Sequence, residues 1–131
     1  PMYLPPPGYL STKFFFYHPG IDIAAGYGMP VHPIAEGVVE QVNYGFLGYG
    51  NNMIINHAAG FKSMYAHLGK IFIKAGQNVD HENIIGEVGM TGRTSGPHTH
   101  LEITKDGKYI DPLTILPEIS TIPAKYKAAA Y

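Results

Sequence analysis

The sequence predicts an all-β fold: antiparallel β-sheets in a compact sandwich or open-barrel arrangement, with long glycine-rich loops and little helix. Apolar residues recur in short β-branched or alternating runs with a period of two, and turn signals separate those runs at intervals of roughly 8–12 residues. The 16 glycines and 11 prolines supply that punctuation without reaching the share that marks disorder. Helical periodicity is absent until Pro123–Tyr131, a stretch long enough for only one or two turns.

Taken in order, the first ten residues (PMYLPPPGYL) read as extended or irregular chain. The aromatic run Phe14–Tyr17 reads as a strand edge packed on the core, or alternatively as a groove wall beside His18. Val31–Tyr44 reads as a strand, a kink and a second strand, and Tyr44–Asn52 as a glycine- and asparagine-rich loop. Met53–His57 is a short buried strand. In Phe61–Leu68, Phe61, Ser63, Tyr65 and His67 share one strand face. Lys70–Ala75 and Asn83–Val88 are further strands, and Gly89–Pro97 is a second glycine-rich loop. In His98–Lys105, alternation puts His98, His100, Glu102 and Thr104 on one face, before a hairpin turn at Asp106-Gly107. The total is six to nine strands in one domain, divided into an extended aromatic segment 1–17, a main unit 18–116 and a tail 117–131. There is no internal repeat.

Composition narrows the function. Nine basic and ten acidic residues leave no electrostatic case for nucleic acid. No apolar run is long enough for a membrane span, and no charged segment precedes an apolar one at the start, so no signal peptide is visible. With no cysteine, any metal is held by nitrogen and oxygen.

The seven histidines matter by position. His98 and His100 form an H-x-H on a strand, with rings on one face and Cα atoms about 6.6 Å apart. Such a pair can ligate one ion, or one ring can bind while the other does acid–base work, and spacing alone does not choose. His18 and Asp22 form an H-x-x-x-D whose ends would lie about 13 Å apart on a straight strand, too far to share a zinc ion. Pro19-Gly20 opposes a helix and suits a bend, which is what joint ligation requires. His67 ends a strand. His57 reads as structural or exposed, and His32 and His81 as solvated. Together, His18, Asp22, His67, His98 and His100 match a catalytic zinc pattern of three ligands and an open position, with further histidines for proton transfer and oxyanion stabilisation.

The segments HPGIDIA (His18–Ala24), Pro30–Val39, GYGNNMIINH (Gly48–His57), MYAHL (Met64–Leu68), GEVGMTGRTSGPHTHLEI (Gly86–Ile103) and DPL (Asp111–Leu113) occur in one order. In that order they resemble the lysostaphin-like (LytM-type) family of zinc metalloendopeptidases that hydrolyse peptidoglycan peptides. The resemblance spans Ser11 to Leu116. It implies that His18, Asp22 and His100 ligate one Zn2+ and that His67 and His98 form the catalytic pair. It also implies a peptidoglycan stem or cross-bridge peptide as substrate and an extracytoplasmic location in periplasm, cell wall or medium. The chain is expected to act as a monomer.

Glu102 shares the face of the two ligand-strand histidines and either orients one of them or makes a surface salt bridge. The loops Tyr44–Asn51 and Gly89–Gly96 are expected to border the groove, and Tyr65 to pack or to touch substrate. The sequence departs from the family at Glu82, where the family has glycine, so the turn there is expected to differ. It departs again at Thr99, where an apolar residue is usual and only packing should change. Three rivals remain. A non-catalytic peptidoglycan-binding or hydrolase-activating domain of the same fold is opposed by the full residue set. A biotinyl/lipoyl carrier barrel lacks its hairpin-tip lysine between Val38 and Gly89. A zinc hydrolase acting on glycine-rich protein stays open.

Overall fold

The computed structural model describes residues 2–121, so the turns of helix expected at Pro123–Tyr131 lie outside the described residues. The strands are β1 (Tyr9–Thr12), β2 (Ile21–Ala24), β3 (Pro30–Val31), β4 (Gly37–Asn43), β5 (Asn51–Asn56), β6 (Phe61–Ile71), β7 (Asn78–Val79), β8 (Gly86–Val88), β9 (His98–Lys105) and β10 (Lys108–Ile110). They pair antiparallel in the order β1-β2-β9-β6-β5-β4-β7, with β10 beside β9, and β8 joining β6 to β3. Among the described residues, helix is limited to the 3-10 turn Pro112–Thr114, capped by the Asp111 carboxylate, which accepts from Leu113 N.

The all-β expectation holds. The count exceeds expectation because β7 is two residues long and β2 four, too short for a clear periodic signal, and because β1 forms after a proline-rich stretch. Conversely, Phe61–Leu68 and the start of Lys70–Ala75 are one strand, β6, which runs through Gly69.

Register decides which side chains meet. β2 lies on β9 with Ile21 opposite Leu101, Asp22 opposite His100 and Ala24 opposite His98. β6 lies on the other side of β9, with Ala66 opposite His100 and Met64 opposite Glu102. Alternation then sends Ile21, Ile23, Leu101 and Ile103 inward, where none retains solvent exposure. Each such side chain contributes roughly 1.5–3 kcal/mol of burial free energy. The same alternation turns Asp22, His98, His100 and Glu102 to the opposite face.

Tyr65 is fully buried and anchors a directional hydrogen-bond chain. Ile34 N donates to the Tyr65 hydroxyl at 3.0 Å, which lies 2.6 Å from Ser63 Oγ, itself 2.7 Å from His57 Nε2. The His57 Nδ1–H donates to Glu36 O at 2.7 Å. Each group has a partner if His57 is neutral, and burial lowers its pKa accordingly. His57 is thus structural, and Tyr65 packs in the core instead of facing substrate.

Four expectations need correction. His67 does not share the face of Tyr65: its φ of 61° puts it in the left-handed region, and the β5–β6 register shifts between Asn51 and Met53, so alternation breaks there. The aromatic run is not a packed strand edge. Only Phe14 packs on the core, while Phe15, Phe16 and Tyr17 lie on an exposed turn closed by Phe15 and His18. His32 is half-buried, with Nδ1 enclosed and unpartnered among the described residues. His81 stacks on Tyr3 with ring centroids 3.7 Å apart. At Glu82 the turn is closed by Asp80, whose Oδ1 accepts from Glu82 N at 2.9 Å.

Two stability measurements check this core. Tyr65→Phe leaves Ile34 N–H without its partner and removes one of the two partners of Ser63, so it should cost about 1–3 kcal/mol in urea unfolding. An unchanged midpoint would show that the chain contributes nothing. Thr99 is fully buried, and its Oγ1 has no partner among the described residues. Thr99→Val should therefore be neutral or stabilising by up to about 1 kcal/mol, and a clear loss would reveal a hidden hydrogen bond.

A candidate metal centre

Three elements bring the site together. β2 carries Asp22, β9 carries His98 and His100, and the bend at Pro19-Gly20 returns His18 over Asp22. Gly20 lies so close to β9 that a Cβ there would stand 2.3 Å from Leu101 O and 3.1 Å from His100 Cε1. Only glycine permits that approach. His67 arrives from β6, with its ring centroid 4.9 Å from that of His98 and 6.2 Å from that of His100. All five residues expected at the site line one groove of about 720 Å³, together with Tyr17, Tyr49, Arg93, Thr94 and Ser95.

Each imidazole is tethered outward through one nitrogen. His18 Nδ1 donates to Gly20 O at 2.9 Å and Lys13 O at 3.1 Å. His67 Nδ1 donates to Thr91 O at 2.8 Å, and His98 Nδ1 to Gly96 O at 2.9 Å. A carbonyl oxygen cannot donate, so these three rings carry their proton on Nδ1 and present an Nε2 lone pair to the groove. His100 is tethered in the opposite sense: Nε2 donates to Glu102 Oε2 at 3.0 Å, which leaves Nδ1 inward.

The inward nitrogens meet a carboxylate. Asp22 Oδ2 is 3.1 Å from His18 Nε2, and Asp22 Oδ1 is 2.8 Å from His100 Nδ1 and 3.5 Å from His98 Nε2. Acceptor thus faces acceptor, which repels unless a cation lies between them. Burial alone would lower the His100 pKa, but Asp22 and Glu102 outweigh it and lift the pKa to about 9. Burial likewise works against the Asp22 charge, yet His100, His98 and His18 hold its pKa below the ordinary carboxylate value. Both shifts express a demand for positive charge, met by a proton or by a metal ion. The ligand atoms of His18, Asp22 and His100 lie within 4.8 Å of one another. The Asp22 contacts approach the roughly 3.3 Å edge of a tetrahedron with zinc–nitrogen bonds of 2.0–2.1 Å. The donor set, two neutral imidazoles and one carboxylate, fits zinc.

His67 differs from His100. Burial, reinforced by His98 and His100, lowers its pKa against the pull of Thr91 O and Asp22, which keeps the ring neutral at pH 7. Its left-handed backbone, a strain of order 1–3 kcal/mol, is held by His67 N donating to Tyr49 O at 2.8 Å and by the Thr91 tether.

Both glycine-rich loops border the groove as expected, and they clasp each other. Gly50 and Gly92 have φ of 63° and 77°, and a Cβ on either would lie within 2.5 Å of the other loop's backbone. Thr91 Oγ1 accepts from Asn51 N at 2.9 Å and donates to Leu68 O at 2.6 Å. Thr91 was not among the residues singled out from sequence, nor was Tyr49, whose hydroxyl donates to Glu102 Oε2 at 2.5 Å and whose ring stacks on His100. Both residues lie in glycine-rich segments that carry the family resemblance, which is the signal the sequence offers for them. Glu102 itself is buried and orients His100, so the surface salt-bridge alternative is excluded.

Comparison with known proteins follows the same geometry. The model of peptidase family M23 matches residues 16–112. The DD-carboxypeptidase/endopeptidase Mpg of Neisseria meningitidis serogroup B is 43% identical over 99 residues, which cover 75% of this chain and 22% of that protein. The peptidoglycan DD-endopeptidase ShyA of Vibrio cholerae is 36% identical over 119 residues, 89% of this chain and 27% of that protein. This chain therefore spans about a quarter of the length of these relatives. A zinc containing peptidase from Vibrio cholerae superposes with a TM-score of 0.69 at 26% identity, covering 87% of this chain and 41% of that one. The catalytic domain of lysostaphin from Staphylococcus simulans does so with a TM-score of 0.69 at 27% identity, covering 82% and 88%.

The tether on His100 can be tested by metal affinity. Glu102→Gln weakens the acceptor that fixes the ring, so zinc should bind roughly 10–100-fold more weakly in a chelator competition. Unchanged affinity would mean that Glu102 does not orient the ligand.

Proposed function

The chain belongs to peptidase family M23, and on that footing we propose that it is a zinc-dependent endopeptidase acting on peptide bonds of bacterial peptidoglycan. His18, Asp22 and His100 are assigned as the ligands of one zinc ion, and His67 and His98 as the catalytic pair. The observation that carries this reading is the convergence of inward imidazole lone pairs on the Asp22 carboxylate, with every outer nitrogen committed elsewhere.

When bound, zinc supplies a Lewis acid that acidifies water and polarises a carbonyl. The residues do the rest. His67 and His98 present Nε2 atoms to the groove because Thr91 O and Gly96 O hold their Nδ1 protons. One of the pair accepts the proton of the attacking water, and His67, kept neutral by burial, is in the state to do so. The other donates to the developing oxyanion in the form that has taken up a second proton from solvent, on Nε2, and the proton removed from the water then passes to the leaving amine. Tyr49 and Glu102 hold His100 in orientation throughout. A peptidoglycan substrate places the chain outside the cytoplasmic membrane. Among the described residues, no helix is long and apolar enough to cross a membrane.

Digestion of purified sacculi tests the reading. The zinc-loaded protein should release soluble fragments, and a chelator should abolish release. His67→Ala and His98→Ala should each lose at least about 100-fold while retaining zinc. Fragment release that is indifferent to chelator or to both substitutions would overturn the mechanism. Zinc and sacculus binding without any release would point instead to a non-catalytic binding domain.

A further inference from the structure

The groove carries one charge that the hydrolytic chemistry leaves unused. Arg93 lines it, with its side chain exposed. Among the described residues its guanidinium has no ion-pair partner, whereas Lys62 pairs with Glu40. The one carboxylate lining the same groove, Asp22, is taken by His18 and His100. The chain as a whole carries a net charge of −1. A divalent ion at Asp22 would leave the groove positive, with Arg93 as its free cation.

The backbone fixes Arg93 where that charge can act. Arg93 N donates to Gly48 O at 2.7 Å across the loop clasp, a bond independent of its side chain. It stands two residues from Thr91, which tethers His67, and three from Gly96, which tethers His98. Arg93 therefore belongs to the loop that holds the two proton-handling histidines. In amide hydrolysis the water oxygen bonds to the acyl carbon, the C–N bond breaks, and a proton from that water ends on the departing amine. On the proposed mechanism those histidines pass the proton to the amine, which puts the leaving amine on their side of the groove.

We propose that Arg93 is a specificity residue that binds a free carboxylate on the amine-side residue of the scissile bond. This deepens the endopeptidase reading and rests on it. The planar guanidinium fork matches a carboxylate bidentately, and it changes no proton count in the reaction. The favoured substrates are amides whose leaving amine sits on a carbon that also bears a carboxylate. The bond between D-alanine and a diamino acid has that chemistry. A glycyl bond inside a neutral cross-bridge does not.

The test compares two forms of one cross-linked muropeptide dimer, with the amine-side carboxylate free or converted to carboxamide. Zinc-loaded wild type should favour the carboxylate form by roughly 10–100-fold in kcat/KM. In Arg93→Gln the loss should fall on that form alone, bringing the ratio to about one. Arg93→Lys should be intermediate, because charge survives and the fork does not. Calorimetric binding of the amine-side product should lose the same preference. Equal cleavage of both forms by wild type, or an equal loss on both in Arg93→Gln, would overturn the assignment of Arg93 alone. Cleavage of neither form by the zinc-loaded wild type would overturn the hydrolase reading and this assignment with it.

Discussion

The site depends on how its imidazoles are tied from behind. Backbone carbonyls of Gly20, Thr91 and Gly96 hold the Nδ1 protons of His18, His67 and His98, and the Glu102 carboxylate holds the Nε2 proton of His100. With those bonds made, the remaining nitrogens have only lone pairs to present, and they present them around one carboxylate. The charge balance then calls for a positive charge at that carboxylate, which a proton on His100 or a metal ion can supply.

The scaffold serves that constraint. Antiparallel register places Asp22 beside His100, a glycine against β9 lets His18 fold back, and a left-handed residue turns His67 away from the core side of its own strand. Each of these is a local departure from ideal strand geometry, and each is fixed by contacts nearby. The Thr91 hydroxyl and carbonyl tie together the two loops, β6 and His67. The core face of the same strands stays conventional, with Ile21, Ile23, Leu101 and Ile103 fully enclosed. Stability and chemistry are thus divided between the two faces of β2 and β9.

Much of this was legible in the sequence, for identifiable reasons. Period-two alternation in His98–Lys105 put His98, His100 and Glu102 on one face, and Pro19-Gly20 announced the bend. The resemblance to a known family selected His18, Asp22 and His100 from several candidates, which spacing could not do. What escaped depended on contacts between distant segments or on backbone dihedrals. Alternation put His67 with Tyr65, because a positive φ at a histidine has no signature in residue type. The Phe15–Tyr17 run looked like core by composition, but it forms an exposed turn. β1 was hidden by the prolines before it, and its partner β2 lies about ten residues on. Tyr49 reaches Glu102 across 53 positions of sequence, beyond any local pattern.

The most direct test of the central constraint is long-range proton–nitrogen NMR of the histidine rings in the zinc-loaded protein. The outward tethers predict protons on Nδ1 of His18, His67 and His98, on Nε2 of His100, and zinc-shifted resonances at His18 Nε2 and His100 Nδ1. A proton on His100 Nδ1 with zinc present, or no shift at either inward nitrogen, would contradict it.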